Sequence, residues 1–308
     1  LIPVATQHFR RVRKANPDLP QGRSETEGGA KWFTLDEVLR LRAHFATEGS
    51  RSREYLPWRP KGQPAKIVAV ANFKGGVGKT STAAHLAMSA ALDGYRVLVI
   101  DLDSQGSMTS IFGGKVTDEW QTVFPLLARH YARALQDANR ARAARGEAPA
   151  PMDETLLEAL KITAPALGYL TINGLAASDI LLVPTGASFL EFDSTGRFFD
   201  MLHATFQSIE EGENMAARAL GRPELAFEWD AVRAIITRYD GGQQAEMAGL
   251  MQGWLGKTLS PYRQDFTALI GQAGEQVSGI YEADYRDFYR ETYIRGRETF
   301  DETYAGFK

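Results

Sequence analysis

The segment Lys74-Gly75-Gly76-Val77-Gly78-Lys79-Thr80 sets two lysines and three glycines within seven residues, directly ahead of a stretch with helical periodicity. Glycine at this density lets the backbone curl so that successive N–H groups converge on one anion, and a helix opening there adds its partial positive charge. From Gly78 onward, Gly-Lys-Thr fits the phosphate-loop pattern G-x-x-x-x-G-K-[ST], with Phe73 standing where that pattern starts on Gly. Residues of these types at this spacing compose a nucleoside triphosphate site. Lys79 would lie along the β- and γ-phosphates, the Thr80 hydroxyl would ligate Mg²⁺, and Ser81 would assist. A mere tight turn between strand and helix needs neither lysine.

A second group of chemistry-bearing residues is Asp101-Leu102-Asp103-Ser104-Gln105-Gly106, which closes the apolar run after Arg96. A carboxylate at the C-terminal end of a strand beside a phosphate loop can orient water or reach Mg²⁺ through water. The bland alternative is a pair of turn acids. Cysteine is absent, which removes disulfides, thiolate catalysis and Cys-ligated metals. The five histidines (8, 44, 85, 130 and 203) are scattered without ligand spacing.

The elements that must position these groups follow from periodicity. Ile67–Asn72 and Arg96–Asp101 are strand-sized apolar runs, and Thr80–Leu92 between them carries Ala83, Leu86, Ala87 and Ala90 at helical spacing. Two buried strands around one helix make a βαβ unit and hence a parallel sheet. Further strands are expected at Ile180–Pro184 and Ala231–Thr237, with helices at Ser194–Phe206, Gln243–Leu255, 128–145 and 279–305. The fold expected is α/β, a doubly wound, mostly parallel sheet. With 44% apolar residues the chain can bury a sizeable core.

The front of the chain differs in charge. Residues 1–62 carry 12 basic and 7 acidic side chains, and the remainder 23 and 31. The expected division is a small helical, winged helix-turn-helix-like module at 1–47, a linker at 48–65 rich in Gly, Pro and Ser, and the phosphate-binding domain at 66–308. Thr6–Ala15 is a basic segment, and Thr34-Leu35-Asp36-Glu37 is a capping box opening a helix. DNA is the expected partner of Gln7, Arg10, Arg11 and Arg13; the alternative is a solvated cationic surface. No apolar run approaches the 18 residues of a membrane span, so no membrane partner is expected. Leu1 is not Met, and the sequence reads as starting inside a longer protein.

With two lysines, Lys-Gly-Gly-Val-Gly-Lys-Thr resembles the deviant Walker A ATPases, which include the ParA partition ATPases and the MinD cell-division regulators. Asp101–Gly106 resembles the D-x-D-P-Q-G of ParA proteins, with Ser104 in place of Pro. The front module resembles that of the larger plasmid-type ParA/RepA proteins. This resemblance implies ATP and Mg²⁺ as ligands and a homodimer in which Lys74 reaches the partner's nucleotide. It also implies a water held by Asp103, with Asp101 supporting the metal through water. Catalysis would fall to Lys74, Lys79 and Asp103. The nucleotide would be cradled by Lys74, Gly75, Gly76, Val77, Gly78, Lys79, Thr80 and Ser81, with Thr237 and Arg238 near the base.

In the same family, DNA is bound nonspecifically, a ParB-type protein stimulates hydrolysis, and the location is cytoplasmic on the nucleoid. Thr163–Gly168 resembles the third family motif, yet Ile162 stands where the Walker B Asp belongs, and no strand is legible between 113 and 162. These departures lead to the expectation that an internal segment is missing, with a seam near Lys161–Thr163. The rival functions are an ATP-regulated, sequence-specific repressor and a MinD-like membrane-positioned switch. The last ten residues are a poor basic amphipathic anchor for the second of these.

Overall fold

The computed structural model describes all residues except 1, 3, 25, 27, 30, 48–54, 57–61, 63, 104, 119–123, 152–168, 271–278, 283–287, 307 and 308. They gather into two compact units. One is Leu1–Ala65 with His85–Val99 and Phe300–Lys308, and the other is Lys66–Ala84 with Ile100–Thr299. The front segment therefore shares its unit with two later stretches of the chain.

Among the described residues the larger unit is built on four parallel strands lying side by side in chain order: β1 (Val68–Val70), β2 (Ile180–Gly186), β3 (Ala231–Tyr239) and β4 (Leu259–Asp265). Ile-Leu-Leu-Val in β2 and Ala-Ile-Ile in β3 are continuous apolar runs, as strands covered on both faces require. The register pairs Leu181 with Val232, Val183 with Ala234 and Gly186 with Thr237. Leu181 and Val183 pack with Phe198, Leu202 and Phe206, which recur every fourth residue along the helix Phe189–Leu220. Ala234 and Ile236 pack with Ala248 and Met251 of the helix Gln243–Leu255. Partners in register share a face, so these two crossover helices lie on the same side of the sheet. Leu182 and Ile235, of opposite parity, are also fully buried, so the second face is covered too. Each of the larger side chains contributes about 1.5–3 kcal/mol by leaving water.

In chain order the helices are α1 (Thr6–Ala15), α2 (Leu35–Thr47), α3 (Lys79–Leu92), α4 (Ser107–Ile111), α5 (Phe124–Ala144), α6 (Tyr169–Ala176), α7 (Phe189–Leu220), α8 (Gln243–Leu255) and α9 (Arg290–Ala305). Ser188 caps α7 by accepting the Glu191 N–H at 3.3 Å, and Gly221, at φ 62°, ends it.

The α/β class and the parallel sheet stand, and several expected elements are corrected. Arg96–Asp101 forms no ladder among the described residues, and Leu98 and Ile100 are 82% and 58% exposed. Apolar spacing makes a strand only where a neighbour takes up its N–H and C=O groups. The helix expected at Ser194–Phe206 spans Phe189–Leu220, 32 residues, because its limits are set by the Ser188 cap and by Gly221 rather than by the apolar stripe. The helix expected from 279 begins at Arg290, after a turn at 280–282. The Thr163–Gly168 motif, Ile162 and the seam near Lys161–Thr163 lie outside the described residues, as do Ser104 and much of the expected linker.

In the smaller unit the capping box forms as read: Glu37 accepts the Thr34 N–H at 2.8 Å while Thr34 Oγ1 accepts the Glu37 N–H at 3.3 Å. Phe45 of α2 is buried against Phe9 of α1 and Tyr55. Arg42 is buried and donates to the carbonyls of Tyr55, Leu92 and Asp93, capping the C-terminal end of α3. His85 stacks on Phe300 with centroids 4.1 Å apart, so it serves packing.

Arg13 departs from the reading of α1 as a DNA-facing segment. It is buried, its guanidinium lies over Phe9 and Phe33, and it donates to the carbonyls of Pro20 and Gln21. It belongs to the core, whereas Gln7, Arg10 and Arg11 are exposed.

Candidate phosphate-binding site

The glycine loop, Thr237 and Arg238 lie at the C-terminal ends of the parallel strands, where open α/β sheets hold their ligands. The loop leaves β1, and Gly76 and Gly78 adopt φ of 73° and 83°, conformations that side chains rarely take. Val77 between them is only 1% exposed and plugs the loop into the protein. Its carbonyl accepts from Thr237 Oγ1 at 2.9 Å, and the same hydroxyl lies 3.2 Å from the Thr185 carbonyl. A Cβ at Gly78 would already touch the Thr237 side chain at 3.6 Å.

Lys79 opens α3 and folds back, its Nζ donating to the Lys74 carbonyl at 2.9 Å. Burial pushes its pKa below the usual lysine value, and the charge of Asp103 opposes that shift. Among the described residues no carboxylate touches this ammonium. The Thr80 hydroxyl is half-buried and has no protein partner among the described residues. Lys74 is exposed.

The two acids diverge in their contacts. Asp101 accepts from the Thr109 N–H and hydroxyl, both at 2.9 Å, and from the Asp103 N–H at 3.2 Å. It therefore braces the turn into α4. Asp103 uses Oδ1 for the Gln105 N–H at 3.0 Å, and its other oxygen takes no protein donor among the described residues.

Thr237 and Arg238 both border one cavity but differ in burial. Thr237 is buried beneath the loop, while Arg238 adopts φ 55° and pairs with Glu191 in the wall of a cavity of about 410 Å³. Gly186, Asp240, Gln244 and the exposed ring of Phe266 complete that wall at the ends of β2, β3 and β4. A Cβ at Gly186 would meet the Glu191 carboxylate and displace it.

Sequence reading missed Asn72, Thr185, Glu191 and Thr195. Asn72 receives the Lys74 N–H at 3.1 Å and donates to the Pro184 carbonyl at 2.8 Å. The one available signal was a polar residue buried between an apolar strand and the loop.

Residues 68–263 match the sequence profile of the CobQ/CobB/MinD/ParA nucleotide binding domain. The chain belongs to this family. As a CobQ/CobB/MinD/ParA domain it resembles ParA-type proteins in particular. A putative replication protein A of Rhizobium rhizogenes is 28% identical over 343 aligned positions, taking in 98% of this chain and 82% of the relative. Because 343 exceeds 308, that relative carries residues inside the matched span that this chain lacks. The chromosome-partitioning ATPase Soj of Thermus thermophilus is 32% identical over 189 residues, 56% of this chain and 70% of the relative. Among solved structures, an ATP complex of a Cyanothece McdA variant aligns over 80% of this chain and 97% of its own, at 19% identity and a TM-score of 0.51. That likeness confirms the α/β fold. Among the described residues no helix is long and apolar enough to cross a membrane.

Proposed function

We propose that this family member is a ParA-type partition ATPase that binds ATP with Mg²⁺, dimerises, binds DNA and hydrolyses ATP slowly until a ParB-type partner stimulates it. One observation supports this above the rest: Lys79 is desolvated and without a carboxylate in contact among the described residues, at the mouth of a loop whose glycines take positive φ. A half-buried cation of this kind is stabilised by an anion arriving against the loop amides.

The residues fit the ligand. Lys79 and the 75–79 amides would hold the β- and γ-phosphates, and the Thr80 hydroxyl would hold the metal. The cavity beside Arg238 and Phe266 would take the base. Mg²⁺ supplies charge neutralisation at the γ-phosphate when bound. Asp103, through its free oxygen, would orient the attacking water, with Asp101 keeping the Asp103 turn in place. Lys74, exposed and unpaired among the described residues, would reach a partner subunit's nucleotide. Gln7, Arg10 and Arg11 are the DNA-facing set of the front module.

Isothermal titration with ATP and Mg²⁺ tests this reading. The wild type should bind, Lys79→Ala should not, and Asp103→Ala should bind and form a long-lived DNA-bound dimer. Undiminished turnover in either variant would overturn the assignment.

The exposure of Arg10 and Arg11 on α1 supports a second reading, in which ATP only controls a sequence-specific repressor. A discrete footprint on the protein's own promoter, lost when Arg10 and Arg11 are replaced by alanine, would favour it.

A further inference from the structure

A chain of buried side-chain amide and hydroxyl groups runs beneath the phosphate loop, and the proposed chemistry uses none of it directly. Asn72 is 6% exposed, Thr195 1%, Thr185 0% and Thr237 2%. The Asn72 carboxamide is fully engaged. Its oxygen accepts the Lys74 N–H at 3.1 Å, and its nitrogen donates to the Pro184 carbonyl at 2.8 Å and to Thr195 Oγ1 at 3.2 Å. Thr195 Oγ1 lies 2.8 Å from Thr185 Oγ1 and 2.9 Å from the Glu191 carbonyl. The Thr185 carbonyl and the Val77 carbonyl are then joined through the Thr237 hydroxyl. The path leaves the loop at Lys74 and returns to it at Val77, passing through the first two turns of α7 and the ends of β2 and β3.

We propose that Asn72 and Thr195 are positioning residues that fix the peptide of Lys74, and with it the shape of the loop, to the first turns of α7. The residue types suit this task. Only a carboxamide at 72 can accept from Lys74 while donating twice on its other side. Aspartate would turn an oxygen toward the Pro184 carbonyl, and valine at 195 would leave one Asn72 donor unmet. A loop shaped before its ligand arrives binds with less ordering cost. The turn of α7 before Thr195 supplies Glu191 to the cavity wall, so the phosphate and base ends of the site share one helix end as support.

The structural part of this inference stands apart from the ATPase reading, and only its functional arm rests on that reading. Amide hydrogen exchange on the nucleotide-free full chain provides the first test. In Thr195→Val, exchange at Lys74 and the neighbouring loop amides should quicken about tenfold, as expected for loss of one buried hydrogen bond. Thr195→Ser should stay within about twofold of wild type. The β2–β3 ladder amides, Ala234 among them, should be unchanged in both.

Loop exchange equal to wild type in Thr195→Val would overturn the proposal, as would loop and ladder amides quickening together. Should Thr195→Val not fold, Asn72→Asp keeps the side-chain volume and the acceptor for Lys74, and it must give the same confined pattern. In the functional arm, Thr195→Val should raise KM for ATP about tenfold while kcat stays within about twofold. A wild type that does not bind ATP would end the ATPase reading and leave the exchange pattern to decide the positioning role.

Discussion

The Thr237 hydroxyl lies 2.9 Å from the carbonyl of Val77, which ties the end of β3 to the middle of the phosphate loop. Thr237→Val keeps the shape and removes the donor. It should cost about 1–3 kcal/mol in chemical unfolding, since two buried carbonyls lose a shared partner. Thr237→Ser should recover most of that loss. The same variants, ranked by ATP affinity, should fall in the same order.

Lys79 is a charge that the nucleotide-free protein holds at a disadvantage. Its pKa is lowered by burial, so in the alkaline range below 10.5 the unfolded chain binds more protons than the folded one. The contribution of this group to stability therefore rises with pH through that range. Lys79→Met should flatten the rise and leave the nucleotide-free protein at least as stable as wild type. It should also abolish the thermal shift that ATP produces in wild type. Urea unfolding at a series of alkaline pH values checks the first outcome, and melting with and without ATP checks the second.

The basic residues of α1 divide by burial. Arg10→Ala and Arg11→Ala should each weaken DNA binding and reduce the salt dependence of affinity by about one charge, with stability nearly unchanged. Arg13→Ala should instead lower the melting temperature by removing the guanidinium over Phe9 and Phe33 together with its two carbonyl contacts. Fluorescence anisotropy at several salt concentrations, paired with melting curves, separates the two effects.

Arg42 joins α2 to the end of α3 through three carbonyl groups and the Asp93 carboxylate. Arg42→Met retains bulk but leaves those acceptors without their donor, and it should cost about 3–5 kcal/mol. Asp93→Asn should cost less, because the arginine's bonds to main-chain carbonyls survive. Denaturant midpoints measure both.

Where one local signal sufficed, the sequence was readable. The helix Gln243–Leu255 has the bounds its spacing predicts, and Thr34 and Glu37 form the reciprocal cap that their spacing implies. The phosphate loop was legible because glycine and lysine act there through local backbone geometry. Arg96–Asp101 misled because a strand is a property of a pair, and apolar residues alone do not supply the neighbour. The strand β4 was missed for the opposite reason: Leu-Ser-Pro-Tyr-Arg-Gln-Asp is polar and interrupted by Pro261, and pairing with β3 makes it a strand. Asn72 escaped because its partners Pro184 and Thr195 lie 112 and 123 residues away along the chain.

The alignment of β2 with β3 acquires a second meaning from Thr237. Side chains along a strand alternate between faces, so a slip of one residue would carry Thr237 away from the loop and turn Arg238 beneath Val77 in its place. The pairing of Gly186 with Thr237 thus sets more than which apolar groups reach the core. It is the gauge by which the sheet delivers one hydroxyl to the glycine loop and one guanidinium to the neighbouring cavity, and a misregistered sheet would shape neither.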